Sequence, residues 1–499
     1  MIPPIQVTTK SHEIETSLNS IECYFSMKNK FKENELFLLE SLSGPAKDCT
    51  RSVIGYHPVL SLAWSPGRLQ FYGNQNLIDV LLSNPMWSQN IKLHNSIQFS
   101  PDKRAFDVLK DLESIFSVDH PENSNSFGFG FFGYIGYDAV FAIESITKKI
   151  DRSTAEDEIF LSLYEGIINI DLVGNTVTLV TNSCPLWDAI DPEEISSLLK
   201  KEVFIPELVV PDSSSCVCYP SLDQNTYHSF VEKAKYHISI GDIYQIQLGH
   251  NILIKSDVEP LDVYRRLRHY NPSPYMYYFC AGNGIKIVGA SPEMFVVLDQ
   301  NRQVQMRPIA GTARKSSTKS ENDVIGKKLL ADEKERAEHL MLVDLCRNDI
   351  ARVSVPEALT VDELMVLEEY SHVIHIVSNV SGKLIENKDK YDLISASFPA
   401  GTMTGTPKIR AIEIIEDTEL SSRGVYAGCV GFFGFDNTVA SALCIRTATW
   451  SNGQYSIRAS GGIVEDSTPQ NEWKETISKL SSTYFAITNR ELADEDFTR

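Results

Sequence analysis

The chain has 499 residues, 42% hydrophobic and 22% charged, the balance of a folded globular protein with room for a large core or several domains. A formal net charge of −20 argues against a nucleic-acid or anionic-membrane surface, although a local arginine or a bound cation can still present positive charge to a small anion. No apolar run approaches the roughly 18 residues of a membrane span. The start, "MIPPIQVTTKSHEIETS", is too polar for a signal peptide, and nine scattered cysteines read as reduced thiols in a cytoplasm.

In chain order, "LFLLESLSG", "SVIGYHPVLSLAW" and "GIINIDLVGNTVTLVT" read as strands, the last with a Gly-Asn hairpin turn inside it. "GFGFFG" (128–133) satisfies Gly-x-Gly-x-x-Gly, but no helix follows and aromatics fill the loop, so it reads as a buried glycine-rich strand rather than a dinucleotide site. Prolines and serines in "PELVVPDSSSCVCYPSL" mark a soft boundary between portions 1–205 and 223–488. Beyond it, "QNTYHSFVEKAKYHISIGDIYQIQLGHNILI" reads as a helix ending at Gly241 and then a strand. "IKIVGASPEMFVVLD" gives strands around a turn, and "ENDVIGKKLLADEKERAEHLMLVDLCRNDIARV" has one helical periodicity throughout. "ASALCIRTATW" and "QYSIRASGGIV" read as two strands, and "TPQNEWKETISKLSSTYFAITN" as a helix opened by Pro469. The pattern predicts an α+β fold with large antiparallel β-sheets packed together and helices on the outside.

Glu335 and Glu338 share a helix face, as do Glu472 and Glu475. Such a pair alone is an ordinary solvated face. Here Glu338 adjoins the apolar "HLMLVDL" and Glu475 follows Trp473, so both faces should be partly buried. Four buried carboxylates facing one another repel unless a divalent cation lies between them, and an all-oxygen set with room for water suits Mg²⁺ better than zinc.

"RPIAGT" (307–312), "AEHLMLVDLCRND" (337–349), "HIVSNVSG" (375–382), "FPAGTMTGTPK" (398–408), "YAGCVGFFGF" (426–435), "IRTA" (445–448) and "SGGIVEDSTPQNEWKET" (460–476) resemble, in order, the motifs of the chorismate-utilising enzymes. The resemblance covers roughly residues 225–485. It implies that family's fold, with 223–488 as the chorismate-binding catalytic portion and 1–205 as a regulatory and structural portion. It also implies Glu338 and Glu475 as direct Mg²⁺ ligands, with Glu335 and Glu472 supporting through water.

Within the family, the resemblance points to the anthranilate-forming branch of tryptophan biosynthesis. Relatives that add water carry an activating lysine where this chain has Gln245, and an amide is no general base, so ammonia becomes the expected nucleophile. Ala310 stands where some aminodeoxychorismate synthases carry a lysine nucleophile. Glu293 resembles the general acid for the C4 hydroxyl, a role that needs a raised pKa. His375 matches the family's active-site histidine, and Lys479, one turn after Glu475, suits a carboxylate or balances the metal ligands. Arg446 and Tyr426 would bind the enolpyruvyl carboxylate. Thr402 with the backbone of Gly461 and Gly462 would bind the ring carboxylate, with Thr312 also at the substrate. The family usually has "GAGIV" where this chain reads "SGGIV".

"LLES" (38–41), Arg51 and "NPSPYM" (271–276) resemble a tryptophan feedback site, placing Glu40, Ser41, Arg51, Pro274, Tyr275 and Met276 around an inhibitor, with Glu40 for the ammonium group. No glutaminase nucleophile motif is present, so ammonia is expected from a separate glutamine amidotransferase subunit, and Cys429 reads as core. The alternatives are a 2-amino-2-deoxyisochorismate synthase that stops before pyruvate elimination, an aminodeoxychorismate synthase component I, and a non-catalytic ligand-binding regulator.

Overall fold

The computed structural model describes residues 3–100, 103–119, 126–152, 156–282, 284–370 and 372–497. Its strands form a connected, almost wholly antiparallel system with helices packed outside, which is the expected α+β class. The Gly-Asn turn is a hairpin: Ile159–Asp171 pairs with Thr176–Ser183, and Asn175 takes a left-handed φ of 52°. Among the described residues no helix is long and apolar enough to cross a membrane.

The connection at 205–223 does not interrupt the hydrogen bonding. Leu36–Glu40 lies between Arg51–Ser65 and Tyr275–Cys280, with Glu40 opposite Met276, so "LLES" and "NPSPYM" are cross-strand neighbours. Gly130–Ile135 likewise joins Ile159–Asp171 to Cys429–Gly434. Phe37 and Phe132, from different strands, stack at 3.8 Å between ring centres in the core these strands share.

"GFGFFG" therefore contributes to a buried strand, as its aromatics required. A Cβ on Gly133 would lie 2.0 Å from the Phe160 carbonyl oxygen, so glycine is there to let backbones approach. Gly133→Ala should cost about 3 kcal/mol or more, read as a lowered urea midpoint at unchanged m-value. A midpoint within error of wild type would show that the strands can part freely. Cys429 is fully buried in the adjacent strand.

Two elements differ from the sequence pattern. The helical run at 321–353 is two helices, Lys319–Ala331 and Glu333–Ala351, because the Asp332 side chain accepts from the Lys334 and Glu335 amides and starts a new helix. "ASALCIRTATW" is likewise two strands, Val439–Leu443 and Thr447–Ser451. Between them Arg446 has a φ of 51°, a conformation that costs a non-glycine residue about 1 kcal/mol.

Candidate active site

The helices Glu333–Ala351 and Pro469–Thr488 approach one cleft from different sides. The second is capped by the Thr468 hydroxyl on the Asn471 amide, begins at Pro469, and packs along the strand Gln454–Ile463. Glu335, Glu338, Glu472 and Glu475 all line this cavity of about 480 Å³, together with Gln245, Glu293, Thr312, His375, Thr402, Tyr426, Arg446, Gly462 and Lys479. Residues more than two hundred positions apart thus meet in one cavity of ligand size.

The carboxylates raise one another's proton affinity. Burial, then Glu335 and Glu475, push Glu338 up to about 7. Glu335 and Glu472 are raised by burial, with Glu475 adding to both. Glu472 Oε2 is buried without a hydrogen-bond partner. A mutually repelling, all-oxygen, partly unpaired donor set is one that Mg²⁺ fits. Among the described residues, though, no three acidic, histidine or cysteine side chains converge closely enough to form a finished ligand cage. Glu475 Oε1 is held 2.6 Å from Lys479 Nζ, so this lysine is a salt-bridge partner of a proposed ligand. Lys479 Nζ also donates to the Ser460 carbonyl at 2.8 Å.

Glu293 follows Pro292 in the turn between Lys286–Ser291 and Met294–Leu298. Burial pushes its carboxyl up to about 8, against the opposing effects of the Thr402 hydroxyl and the Lys479 charge. It is therefore a neutral acid at pH 7, able to donate a proton. Burial lowers the pKa of His375, so the ring is neutral. Its Nδ1 lies 3.1 Å from the Gly311 carbonyl oxygen, which can only accept, so Nδ1 carries the hydrogen. The Thr312 hydroxyl is 3.0 Å from the same nitrogen, and Nε2 is left as the basic atom of a cleft-lining ring.

Gln245 opens the strand Gln245–Lys255 and donates from Nε2 to Glu338 Oε1 at 3.3 Å. That bond fixes the amide orientation, and Oε1 is buried with no partner. The strand break turns Arg446 into the cleft, where one guanidinium nitrogen donates to the Lys479 carbonyl at 2.7 Å. Tyr426 is followed by Ala427, which has a φ of 64°, so one proposed carboxylate-binding residue, Arg446, is itself left-handed and the other stands directly before a left-handed residue. Gly462 lines the cavity, and a Cβ there would stand 2.9 Å from Gln247 Nε2. Gly461 faces the other way: its Cβ would lie 2.7 Å from the Tyr227 hydroxyl and 2.9 Å from Glu472 Oε2.

Lys334 also lines the cleft, and its charge opposes the upward shifts of Glu335, Glu338 and Glu472. Its four-residue spacing from Glu338 was available in the sequence as a same-face pair. Gln247, Arg458, Ser460 and Ser478 add to the polar lining.

A second cavity, of about 490 Å³, is lined by Glu40, Ser41, Arg51, Pro274, Tyr275 and Met276, with Lys47, Asp48 and Phe127. Glu40 does not offer its carboxylate there. That group is buried and bonded to Ser20, to the Tyr264 hydroxyl at 2.6 Å and to Arg268 at 3.0 Å. Glu40 thus lines the cavity with its oxygens already engaged in an internal ion pair. Arg51 stands over the Phe127 ring at 5.0 Å.

A chorismate binding enzyme family pattern matches residues 80–484. The chain is 38% identical over 501 aligned positions to a 2-amino-4-deoxychorismate synthase of Streptomyces globisporus, with 98% of both chains covered. It is 36% identical to anthranilate synthase component 1 of Aquifex aeolicus over 80% of this chain and 82% of that one. Among solved structures, anthranilate synthase component I from Streptococcus pneumoniae superposes with a TM-score of 0.71 at 30% identity, covering 88% of this chain and 92% of that one. The menaquinone-specific isochorismate synthase of Escherichia coli shares the fold at a TM-score of 0.69 and 16% identity, covering 97% and 95%. The chain belongs to the chorismate-binding enzyme family.

Proposed function

We propose that this protein is a cytoplasmic, Mg²⁺-dependent anthranilate synthase large subunit that aminates chorismate at C2 with ammonia and eliminates pyruvate. The observation that carries the reading is the pairing, in one cleft, of the protonated acid Glu293 with the amide Gln245 at the position where water-adding relatives have a lysine. Gln245 Oε1, held in orientation by the bond from Nε2 to Glu338, accepts an N–H of the incoming ammonia. Arg446 and Tyr426 hold the enolpyruvyl carboxylate, while Thr402 and the backbone N–H groups of Gly461 and Gly462 would hold the ring carboxylate. As nitrogen bonds to C2, the ring double bonds shift and the C4–O bond breaks. Glu293 gives its proton to the hydroxyl, which leaves as water. The new C2 ammonium sheds a proton to solvent, neutral His375 takes the C2 proton through Nε2, the C3–O bond breaks, and the ring aromatises as the enolate departs and is protonated at its methylene carbon to give pyruvate.

Glu338 and Glu475 would hold Mg²⁺ directly and Glu335 and Glu472 through water, the ion supplying positive charge for a substrate carboxylate in an acidic cleft. With no glutaminase motif in the chain, ammonia comes from a separate amidotransferase subunit, and free ammonium at high pH replaces it.

The second reading rests on the Streptomyces relative matched over 98% of the chain, whose name denotes an amine that keeps its enolpyruvyl group. Incubation with chorismate, Mg²⁺ and ¹⁵N-ammonium decides between them. Fluorescent ¹⁵N-anthranilate with equimolar pyruvate supports elimination, and a labelled non-aromatic amine without pyruvate supports the second reading. Absence of any nitrogen-labelled product refutes both.

The second cavity is read as the tryptophan feedback site, carried by the portion 1–205 together with Pro274, Tyr275 and Met276. Ser41→Phe should fill it and raise the tryptophan concentration for half-inhibition at least about tenfold, measured by anthranilate fluorescence. Unchanged inhibition would remove Ser41 from the site.

A further inference from the structure

An ion group runs from the wall of the second cavity, where Asp48 and Lys47 stand, to the strands beside His375. Arg307 sits two residues before the strand Ile309–Arg314, is 7% exposed, and bonds both oxygens of Asp48, a residue lining the second cavity. Its other terminal nitrogen bonds Glu368, also 7% exposed. Lys47 reaches Glu368 at 3.0 Å and Glu363 beside it, so two cations face three carboxylates across Asp48, Glu363 and Glu368.

The group touches both strands that orient His375. Glu368 is the cross-strand neighbour of His375, and the strand after Arg307 brings Thr312 opposite His375 and aims the Gly311 carbonyl at Nδ1. Glu368 also accepts from the Tyr370 hydroxyl at 3.3 Å, and the Tyr370 ring meets the His375 ring edge-on at 5.1 Å. Breaking one partner of a buried pair leaves a charge uncompensated, so such a group shifts as a unit rather than by small adjustments.

We propose that Asp48, Arg307 and Glu368 are positioning residues forming a mechanical link, through which a ligand in the second cavity displaces His375 from its working orientation. The link rests on the reading of that cavity as an amino-acid effector site. A ligand crowding Asp48 moves Arg307, and Arg307 cannot move without Glu368 and the two strands it joins.

The test measures tryptophan binding by calorimetry with and without saturating chorismate, in Mg²⁺ and without ammonium so that nothing turns over. Because coupling is reciprocal, chorismate should weaken tryptophan binding to the wild type at least about fivefold. In Glu368→Gln, which does not line the cavity, tryptophan affinity without chorismate should stay within about threefold of wild type while that coupling ratio falls below about twofold. Its KM for chorismate should rise roughly fivefold, since a His375 orientation that tryptophan sets against chorismate must matter to chorismate binding. Asp48→Asn should lose coupling in the same way. A folded Glu368→Gln protein that keeps the wild-type ratio overturns the link. Wild type that binds tryptophan with no response to chorismate overturns the link while leaving the cavity reading intact. Wild type that binds no tryptophan at millimolar concentration overturns the cavity reading, and the link with it.

Discussion

Glu293→Gln lowers kcat for ammonium-dependent turnover by about 10²- to 10⁴-fold, with KM for chorismate little changed. The amide keeps the size and the contact with Thr402 but has no proton to give to the departing C4 hydroxyl. The pH profile identifies the cause. Burial lifts this carboxyl to about 8, so the active protonated form predominates below that pH and is lost above it. With free ammonia held constant as pH is varied, the wild-type kcat/KM should fall tenfold per unit above about pH 8. That alkaline limb should vanish from the residual activity of the variant. A wild-type profile flat from pH 7 to 10 at constant free ammonia would remove Glu293 from the acid role.

Glu338→Gln has the second large effect, a loss of about 10³-fold in kcat/KM that excess Mg²⁺ does not restore, corresponding to several kcal/mol of charge stabilisation. A stability measurement separates this from simple damage to the fold. Glu338 has its pKa raised, to about 7, by burial and by Glu335 and Glu475. For an acid shifted upward, the protonated form is favoured in the fold. The destabilisation therefore begins above the unfolded pKa, grows as pH approaches 7, and is complete beyond it. At pH 8 in EDTA, the neutral variant should consequently melt no lower than wild type. Adding Mg²⁺ should raise the wild-type Tm and leave the variant unmoved. A variant that melts lower in EDTA and still gains from Mg²⁺ would mean that Glu338 is structural and the ion lies elsewhere.

The separation of these two roles shows what local sequence could convey. Glu335/Glu338 and Glu472/Glu475 announce shared helix faces, and the apolar neighbours of Glu338 announce burial, because both follow from helical periodicity. That the helices converge depends on strands hundreds of residues apart, and only the ordered motifs carried that information. The Arg446 break was hidden: "LCIRTA" carries no glycine, proline or asparagine to mark a turn, although its Arg446 is the left-handed residue that re-aims the guanidinium. Asp332 was readable as an N-cap, yet the leucine periodicity runs across it and masks the junction. The internal partners of Glu40 were out of reach for another reason. Its carboxylate looked available until Arg268 and Tyr264, more than two hundred residues away, were placed against it. Gly461 and Gly462 look equivalent in sequence, but alternation along a strand sends adjacent residues to opposite faces, and only Gly462 lines the cleft.

On the proposed reading, one divalent cation joins Glu338 and Glu475 in the cleft that also receives chorismate. Anomalous diffraction from crystals soaked in Mn²⁺, a hard-cation stand-in for Mg²⁺, tests it most directly. A single strong peak is expected within coordination distance of both carboxylates, with Glu475 released from Lys479 and the peak displaced by excess Mg²⁺. Crystals showing no peak in the cleft, or Glu338 and Glu475 each bound only to water, would contradict it.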